Sequence, residues 1–121
     1  MPAFDAVTPT GTGSRGARPS RAAIPHPDPE QITVQGLLEA LADPVRRDIA
    51  ARLSASDEPM RCGAFDGGVS LSTLTHHFHV LREAGLIRQF YRGASKLNEL
   101  RTEDVGAVAP GLLEAIFGAR R

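Results

Sequence analysis

The fold is decided by Leu71-Ser-Thr-Leu-Thr-His-His-Phe-His-Val-Leu-Arg-Glu-Ala-Gly-Leu-Ile87, followed by Gln89-Phe-Tyr-Arg-Gly-Ala-Ser-Lys-Leu-Asn-Glu-Leu100. Large apolar side chains recur in the first segment at steps of three and four residues, which predicts a helix with one stripe facing a core. The stripe consists of Leu71, Leu74, Phe78 and Leu81. Ser70 is suited to the N-cap of this helix, and Gly85 to the positive φ that often ends one.

The opposite face of the predicted helix carries small polar side chains near its first turns. They are Ser72, Thr73, Thr75, His76 and His79. Short donors and acceptors on a helix can reach base edges and phosphates when the helix enters the major groove of DNA. The pattern therefore predicts a recognition helix, with these five residues at the DNA.

Two short, partly apolar segments, 86–91 and 96–100, follow the helix and are separated by Arg92-Gly-Ala-Ser95. Such a pattern predicts a β-hairpin with a glycine-containing turn. Arg88, Arg92 and Lys96 are expected to project from the hairpin and hold phosphates, which fixes register without reading sequence. The alternative is a solvated hairpin on an unrelated small α+β domain.

A second informative stretch lies upstream, Gly36-Leu-Leu-Glu-Ala-Leu-Ala-Asp-Pro-Val-Arg-Arg-Asp-Ile-Ala-Ala-Arg-Leu53. Together with the 72–87 segment it resembles the arsenical-resistance repressor (ArsR) family of bacterial winged-helix regulators. The resemblance implies a mainly α winged helix-turn-helix fold with a small β-hairpin wing and with terminal helices that form a dimer interface. It also implies a sequence-specific transcriptional regulator that binds an inverted-repeat operator in double-stranded DNA as a homodimer. The resemblance to this family further implies that the regulator is a repressor.

The upstream stretch predicts two helices that meet at Asp43-Pro44, which suits the N-cap and first position of the second helix. Their apolar stripes are Val34, Leu37, Leu38 and Leu41 in the first helix, and Val45, Ile49 and Leu53 in the second. Arg46 and Arg47 fit a solvated face with Asp48 and Arg52 better than a contact with phosphate. Segment 54–69 departs from the family pattern, because its proline and glycines leave room for little more than one helical turn.

The C-terminal segment predicts a helix start at Thr102, an interruption at Pro110-Gly111 and a short apolar segment after it. Four apolar residues there are more than a small domain readily buries: Leu112, Leu113, Ile116 and Phe117. We expect them, with part of the first helix, to form the dimer interface. The alternative is that they cap the core of a single chain.

Residues 1–30 are rich in Pro, Gly, Ser and Thr and lack an apolar period, which predicts a disordered tail before a domain over residues 31–121. Its arginines, Arg15, Arg18 and Arg21, suit an arm that follows DNA. Nearby acids offset their charge, so an inert tail is the favoured interpretation.

At 121 residues with zero formal net charge, the chain suits one small domain. Six basic and three acidic residues between Arg61 and Arg101 give the candidate DNA face a local positive excess. No membrane span or leader pattern is evident, which predicts a cytoplasmic protein. A polar helix face can also bind a partner protein, so a winged-helix protein-interaction module is the alternative function.

The sequence predicts neither catalysis nor a cofactor, because it contains no phosphate-binding glycine loop, zinc-hydrolase histidine pair or nucleophile elbow. A metal site is not expected either. The metal sensors that the chain resembles use a Cys-x-Cys pair, whereas Cys62 is the only cysteine. Two interpretations of Cys62 remain open, a small buried apolar residue or a thiol that responds to oxidation beside Arg61.

Overall fold

The computed structural model describes residues 24–65 and 68–118. The helices are α1 (Val34–Leu41), α2 (Pro44–Ala55), α3 (Leu71–Ala84) and α4 (Thr102–Val108), and the strands are β1 (Met60–Arg61), β2 (Ile87–Arg92) and β3 (Ser95–Leu100). Short 3-10 helices occupy Pro29–Gln31 and Cys62–Ala64, and a π-helical turn occupies Glu114–Gly118. This confirms the predicted mainly α winged helix-turn-helix fold with a hairpin wing.

The junction between α1 and α2 is closed by polar groups from both sides. Asp43 is the N-cap of α2, and its carboxylate accepts from the backbone N–H groups of Val45 at 2.8 Å and Arg46 at 3.2 Å. Burial alone raises the pKa of Asp43, but these two hydrogen bonds and the charges of His77 and Arg46 together outweigh it, so the pKa lies below its usual value. The N-cap and the first-position proline are thus both confirmed.

Arg47 is exposed, as predicted for a solvated face, whereas Arg46 is half-buried, and both side chains contact the end of α1. The Arg46 guanidinium donates to the carbonyls of Ala40 at 2.8 Å and Glu39 at 3.4 Å. Arg47 donates to the carbonyl of Leu41 at 2.9 Å. Because the last carbonyls of a helix have no partners inside it, both arginines serve as caps for the end of α1. On the exposed surface of α2, Asp48 and Arg52 form an i, i+4 salt bridge at 3.1 Å.

Helix α3 has the predicted cap at each end. Ser70 Oγ accepts from the Thr73 N–H at 3.2 Å at its start. At its end Gly85 has a φ of 86°, and the N–H groups of Gly85 and Leu86 donate to the carbonyls of Arg82 and Leu81. This is a Schellman motif, which needs a residue that tolerates the left-handed region. A Cβ on Gly85 would also lie 2.5 Å from Ile32 Cγ1, so the N-terminal segment packs directly on this turn.

The core lies between α1, α2, α3 and the base of the hairpin. The large apolar side chains that are fully buried there are Leu37, Ile49, Leu81, Leu86, Ile87 and Val105. Phe65, in the loop before α3, packs edge-to-face on Phe78 with ring centroids 5.3 Å apart. The predicted stripe of α3 is right for Leu74, Phe78 and Leu81 but wrong for Leu71, which is 75% exposed because no element covers the first turn of the helix.

The sheet has three antiparallel strands in the order β1-β3-β2. Arg92 pairs with Ser95, so the hairpin turn consists of Gly93 and Ala94 only, and each strand extends one residue further into the predicted turn. Strand β1 was not predicted. It is two residues long, with Met60 paired to Asn98, and the 3-10 helix after it contains the single turn that the sequence allowed in segment 54–69.

The C-terminal segment begins with α4 at Thr102 and resumes after the predicted interruption, where Gly111 has a φ of 85°. All four apolar residues expected at a dimer interface pack partly against the core of this chain: Leu112, Leu113, Ile116 and Phe117. Two residues of the predicted α1 stripe, Val34 and Leu38, are instead 48% and 47% exposed. Of the residues expected at a dimer interface, those with the most exposed apolar surface therefore lie on α1 and not in the C-terminal segment.

Residues 24–30, which the sequence assigned to the tail, contact the domain. The Gln89 backbone N–H on the open edge of β2 donates to His26 Nε2 at 2.9 Å. Arg101 Nη1 donates to the Pro27 carbonyl at 2.8 Å. The boundary at residue 31 stays a prediction, and the tail arginines lie outside the described residues. In the part of the chain that the structure covers, no helix is both long and apolar enough to span a membrane.

Replacing Gly85 by alanine should lower the free energy of unfolding by about 2 kcal/mol or more. A left-handed φ costs a residue with a Cβ about 1–2 kcal/mol, and the contact with Ile32 adds to it. Gly106→Ala in α4 is the matched control, because nothing lies within 4 Å of its Cβ and it should be neutral or slightly stabilising. Chemical denaturation of both variants measures the difference, and equal stabilities would contradict the packing described for Gly85.

His26 should make folding stability depend on pH near neutrality. Burial lowers the pKa of His26 below its ordinary 6.5; a hydrogen bond with the Ile24 backbone opposes this, and Arg82, Arg101 and Arg88 reinforce it. The unfolded chain therefore takes up this proton at a higher pH than the folded protein does. The free energy of unfolding is fully retained above pH 6.5 and falls as the pH drops from there towards the lowered pKa.

Denaturation at about pH 7.5 and about pH 5.5 checks this expectation. The loss of stability between the two should be smaller in His26→Gln, which has no group that titrates in this range. The same loss in both proteins would show that His26 is not held as described.

Candidate nucleic-acid interface

The exposed face of α3 brings together four of the residues predicted to contact DNA. Ser72, Thr75, His76 and His79 follow a spacing of three, four and seven residues, which places them on one face of the helix. All four are exposed. Because the buried stripe of the same helix fixes its rotation on the core, this polar face points away from the domain.

Thr73, the fifth predicted residue, is exposed but serves the helix cap. Its hydroxyl accepts from Ser70 Oγ at 2.9 Å, while its N–H donates to the same atom. Ser72 Oγ lies 3.3 Å from Ser70 Oγ as well. The hydroxyl groups at the start of α3 therefore form one cluster, and Thr73 is oriented by it.

The three neighbouring histidines of α3 have different surroundings. His77 is only 7% exposed, and Arg46 Nη1 lies 3.3 Å from its Nδ1, so it belongs to the contact between α2 and α3. His76 is exposed, with its ring centroid 5.9 Å from that of His77. His79 is also exposed, and Arg82 Nη2 lies 3.1 Å from its Nδ1.

Arg82 connects this helix face to the wing. Its Nη1 donates to Gln89 Oε1 at 2.6 Å, and Gln89 lies in β2. The sequence pattern drew attention to Arg82 only as part of a motif and of a charge count. Nothing in the spacing of Arg82 and Gln89 could reveal their contact, because it depends on how the hairpin folds back on the end of α3.

Below Arg82, two buried amides join the three strands. Gln89 Nε2 donates to Asn98 Oδ1 at 2.8 Å, and Asn98 Nδ2 donates to the Met60 carbonyl at 3.0 Å. Asn98 Nδ2 also lies 3.3 Å from Cys62 Sγ. Cys62 is half-buried and has a free thiol. A response of this thiol to oxidation stays a prediction.

The structure separates the three predicted wing cations. Arg88 and Arg92 lie on one face of the hairpin, whereas Lys96, opposite Tyr91 in the register, lies on the other. Arg88 is neutralised near the base of the hairpin by Glu99 at 3.0 Å and Asp104 at 4.0 Å. Arg92 and Lys96 flank the tip, and neither forms a salt bridge within residues 24–65 and 68–118.

The interface thus offers hydroxyl and imidazole groups on a helix and positive charge on a hairpin tip beyond it. The hydroxyl and imidazole groups suit base edges and phosphates, whereas the positive charge of the hairpin tip suits phosphates alone. In the described residues, no group of three or more His, Cys, Asp or Glu side chains is placed to hold a metal ion.

Comparison with known proteins also points to a helix-turn-helix regulator. Residues 41–89 match the family model HTH_20, a helix-turn-helix domain. The chain is 32% identical over 89 residues to the uncharacterized HTH-type transcriptional regulator YceK of Bacillus subtilis (strain 168), which covers 72% of this chain and 88% of YceK. The crystal structure of the ArsR family transcriptional regulator RHA00566 is similar with a TM-score of 0.54 and 30% identity, over 72% of this chain and 98% of that chain.

The segment matched by the helix-turn-helix model runs from the end of α1 into β2, so it contains the whole of α3 and its exposed polar face. The similarity to YceK extends over most of both chains. The structural similarity to RHA00566 covers nearly all of that regulator. On this evidence, the chain belongs to the ArsR family of helix-turn-helix DNA-binding transcriptional regulators.

Proposed function

We propose that the protein acts as a homodimeric repressor, which binds an inverted-repeat operator with α3 in the major groove and the hairpin tip on the backbone. The observation that carries the proposal is the pairing of an exposed polar helix face with two wing cations that have no acid partner in the described residues. In a dimer with twofold symmetry, two such helices reach half-sites about one helical turn apart, roughly 34–36 Å.

Each part of this surface has a distinct role in the proposal. Thr75, His76 and His79 read base edges, because they lie on the exposed face of α3. Ser72 and Thr73, clustered around Ser70, contact the backbone or bases next to the start of the helix. Arg92 and Lys96 hold phosphates.

Arg88 has a smaller role in this proposal than the sequence suggested. Its guanidinium already pairs with Glu99 at 3.0 Å. A phosphate that binds Arg88 must therefore compete with a carboxylate, and this reduces the net gain.

The apolar face of α1 supports the dimer. Val34 and Leu38 are four residues apart on α1 and about half exposed, although both belong to an apolar stripe. Exposed aliphatic side chains at this spacing suit packing against another helix. The C-terminal residues Ile116 and Phe117 are partly buried and line a groove together with residues of α2. Their exposed parts add to the apolar surface of the chain.

Fluorescence anisotropy with the duplex upstream of the protein's own gene and a scrambled duplex tests the proposal. A DNA-binding regulator binds the native duplex more tightly, and log affinity falls linearly with log salt concentration. The same surface could instead bind a partner protein. Absence of binding to both duplexes at low salt would favour that alternative.

Arg92→Ala should weaken binding to all duplexes by a similar factor and reduce the salt slope by about 1, because it removes one phosphate contact. Thr75→Ala should instead change the ratio of affinities between duplexes that differ by single base pairs. Anisotropy titrations of both variants at several salt concentrations separate the two effects. If Arg92→Ala altered the sequence preference and Thr75→Ala did not, the assigned roles would be reversed.

Leu38→Glu should convert a dimer at micromolar concentration into a monomer, because it places a charge in the apolar contact. The control is Ala64→Glu at the exposed end of the 3-10 helix Cys62–Ala64, outside the terminal helices, which should stay dimeric. Size-exclusion chromatography with light scattering measures the mass of each. A monomeric wild-type protein at this concentration would contradict the homodimer.

A further inference from the structure

Arg82 is a cation held between the recognition helix and the wing. One guanidinium nitrogen, Nη1, donates to Gln89 Oε1 at 2.6 Å, and the other, Nη2, lies 3.1 Å from His79 Nδ1. The first contact crosses from α3 to β2, whereas the second runs along α3 to an exposed side chain of the candidate interface. Arg82 therefore connects Gln89, a buried residue of the wing, to His79, an exposed residue of α3.

Gln89, the partner of Arg82 in the wing, is buried and hydrogen-bonded. Gln89 is 2% exposed and Asn98 is fully buried. The Gln89 amide donates to Asn98 Oδ1 at 2.8 Å, and Asn98 in turn donates to the Met60 carbonyl. An amide group has one oxygen and one NH2. Because the NH2 of Gln89 donates to Asn98, its oxygen is the group left to accept from Arg82. The orientation of the guanidinium follows from it.

The contact with His79 selects one tautomer of the imidazole. A guanidinium has donors only, so His79 Nδ1 must be the acceptor in this contact. In a neutral imidazole the proton then resides on Nε2, on the opposite side of the ring. His79 is exposed, so Nε2–H is the donor that it offers to a ligand.

Stability alone does not account for this arrangement. The Nε atom of Arg82 is buried and has no hydrogen-bond partner among the residues described. Nor does Arg82 form a salt bridge with any carboxylate there. A buried donor without a partner and a partly buried cation without an acid both cost free energy, and such costs are concentrated at functional sites.

We infer that Arg82 is a positioning residue for DNA recognition, which holds His79 as an Nε2–H donor aimed at a hydrogen-bond acceptor on a base edge. The inference rests on the proposed function. Acceptors in the major groove are guanine N7 and O6, adenine N7 and thymine O4, whereas the exocyclic amines of cytosine and adenine are donors. His79 therefore favours a base pair that presents an acceptor at its position.

Nuclear magnetic resonance tests the first half without DNA. Long-range ¹H–¹⁵N spectra of the full chain distinguish the two neutral tautomers of an imidazole. The expected result is the Nε2–H tautomer for His79 in the wild type at a pH at which the ring is neutral, and a mixture in Arg82→Met. A mixture, or the Nδ1–H tautomer, in the wild type would overturn the inference whatever the protein does with DNA.

Binding to DNA tests the second half. A duplex selected by the wild-type protein from a randomised pool is compared with its single-base-pair variants by fluorescence anisotropy. His79→Ala should reduce discrimination at one position by about three- to tenfold, the range of one neutral hydrogen bond. Arg82→Met should reduce discrimination at the same position, and the double variant should lose no more than the larger single loss.

Two further variants separate positioning from charge and folding. Arg82→Lys keeps the positive charge but cannot reach both partners with a planar fork, so it should lose discrimination at that position while keeping the salt slope. Arg52→Met removes an exposed arginine of α2 that pairs with Asp48 and lies outside the proposed interface, so it should leave discrimination unchanged. Circular dichroism at the titration temperature confirms that each variant is folded.

The outcomes distinguish this inference from the proposed function. A wild-type protein that selects no duplex over the random pool overturns both. A wild-type protein with clear selectivity, whose Arg82→Lys variant keeps its discrimination at the position read by His79, overturns the positioning role alone. Additive losses in the double variant do the same, because they show that Arg82 and His79 act independently.

Discussion

The buried amide pair of Gln89 and Asn98 is the interaction on which the geometry of the wing depends. These side chains lie opposite each other in the hairpin, at the point where β1 also joins the sheet through Met60. Buried amides without partners are costly, so the three strands and the side chain of Arg82 must keep their positions to satisfy them. The pair therefore sets the wing relative to α3, and the spacing of helix face and hairpin tip follows from it.

A second constraint acts at the end of α3, where Gly85 allows the chain to turn sharply into β2 beneath Ile32. Gly85 of the Schellman motif and Gln89 of the amide pair are only four residues apart in sequence. The motif orients the strand, whereas the amide pair orients the side chains on it. The N-terminal segment takes part in both, since Ile32 covers the turn and His26 occupies the open strand edge. The surface proposed to read DNA is in this way supported by residues that lie outside it.

Much of the fold could be predicted from local signals. Helix caps depend on hydrogen bonds and dihedral angles within a few residues, so they can be predicted from local sequence. The structure shows the predicted caps Asp43, Ser70 and Gly85 in these roles. Periodicity located the helices, but it could not tell which apolar residues lack a covering element. Leu71, Val34 and Leu38 are exposed for this reason.

The candidate site was predictable to the same extent. A polar helix face is a property of spacing, and four of its residues do lie together. The pairing of Arg88 with Glu99, the capping of α1 by Arg46 and Arg47, and the Arg82 bridge all join residues that are distant in sequence or lie on different elements. Composition and spacing carry no information on such contacts. These contacts between elements decide which charged side chains remain available to a ligand.

Chemical-shift mapping of the ¹⁵N-labelled protein with the selected duplex and a scrambled duplex would locate bound DNA on the protein without any substitution. If α3 and the wing bind DNA, the selected duplex should shift the amide signals of the first three turns of α3 and of the hairpin tip around Arg92. Shifts confined to α1 and the C-terminal segment, with α3 unchanged, would contradict this mode of binding.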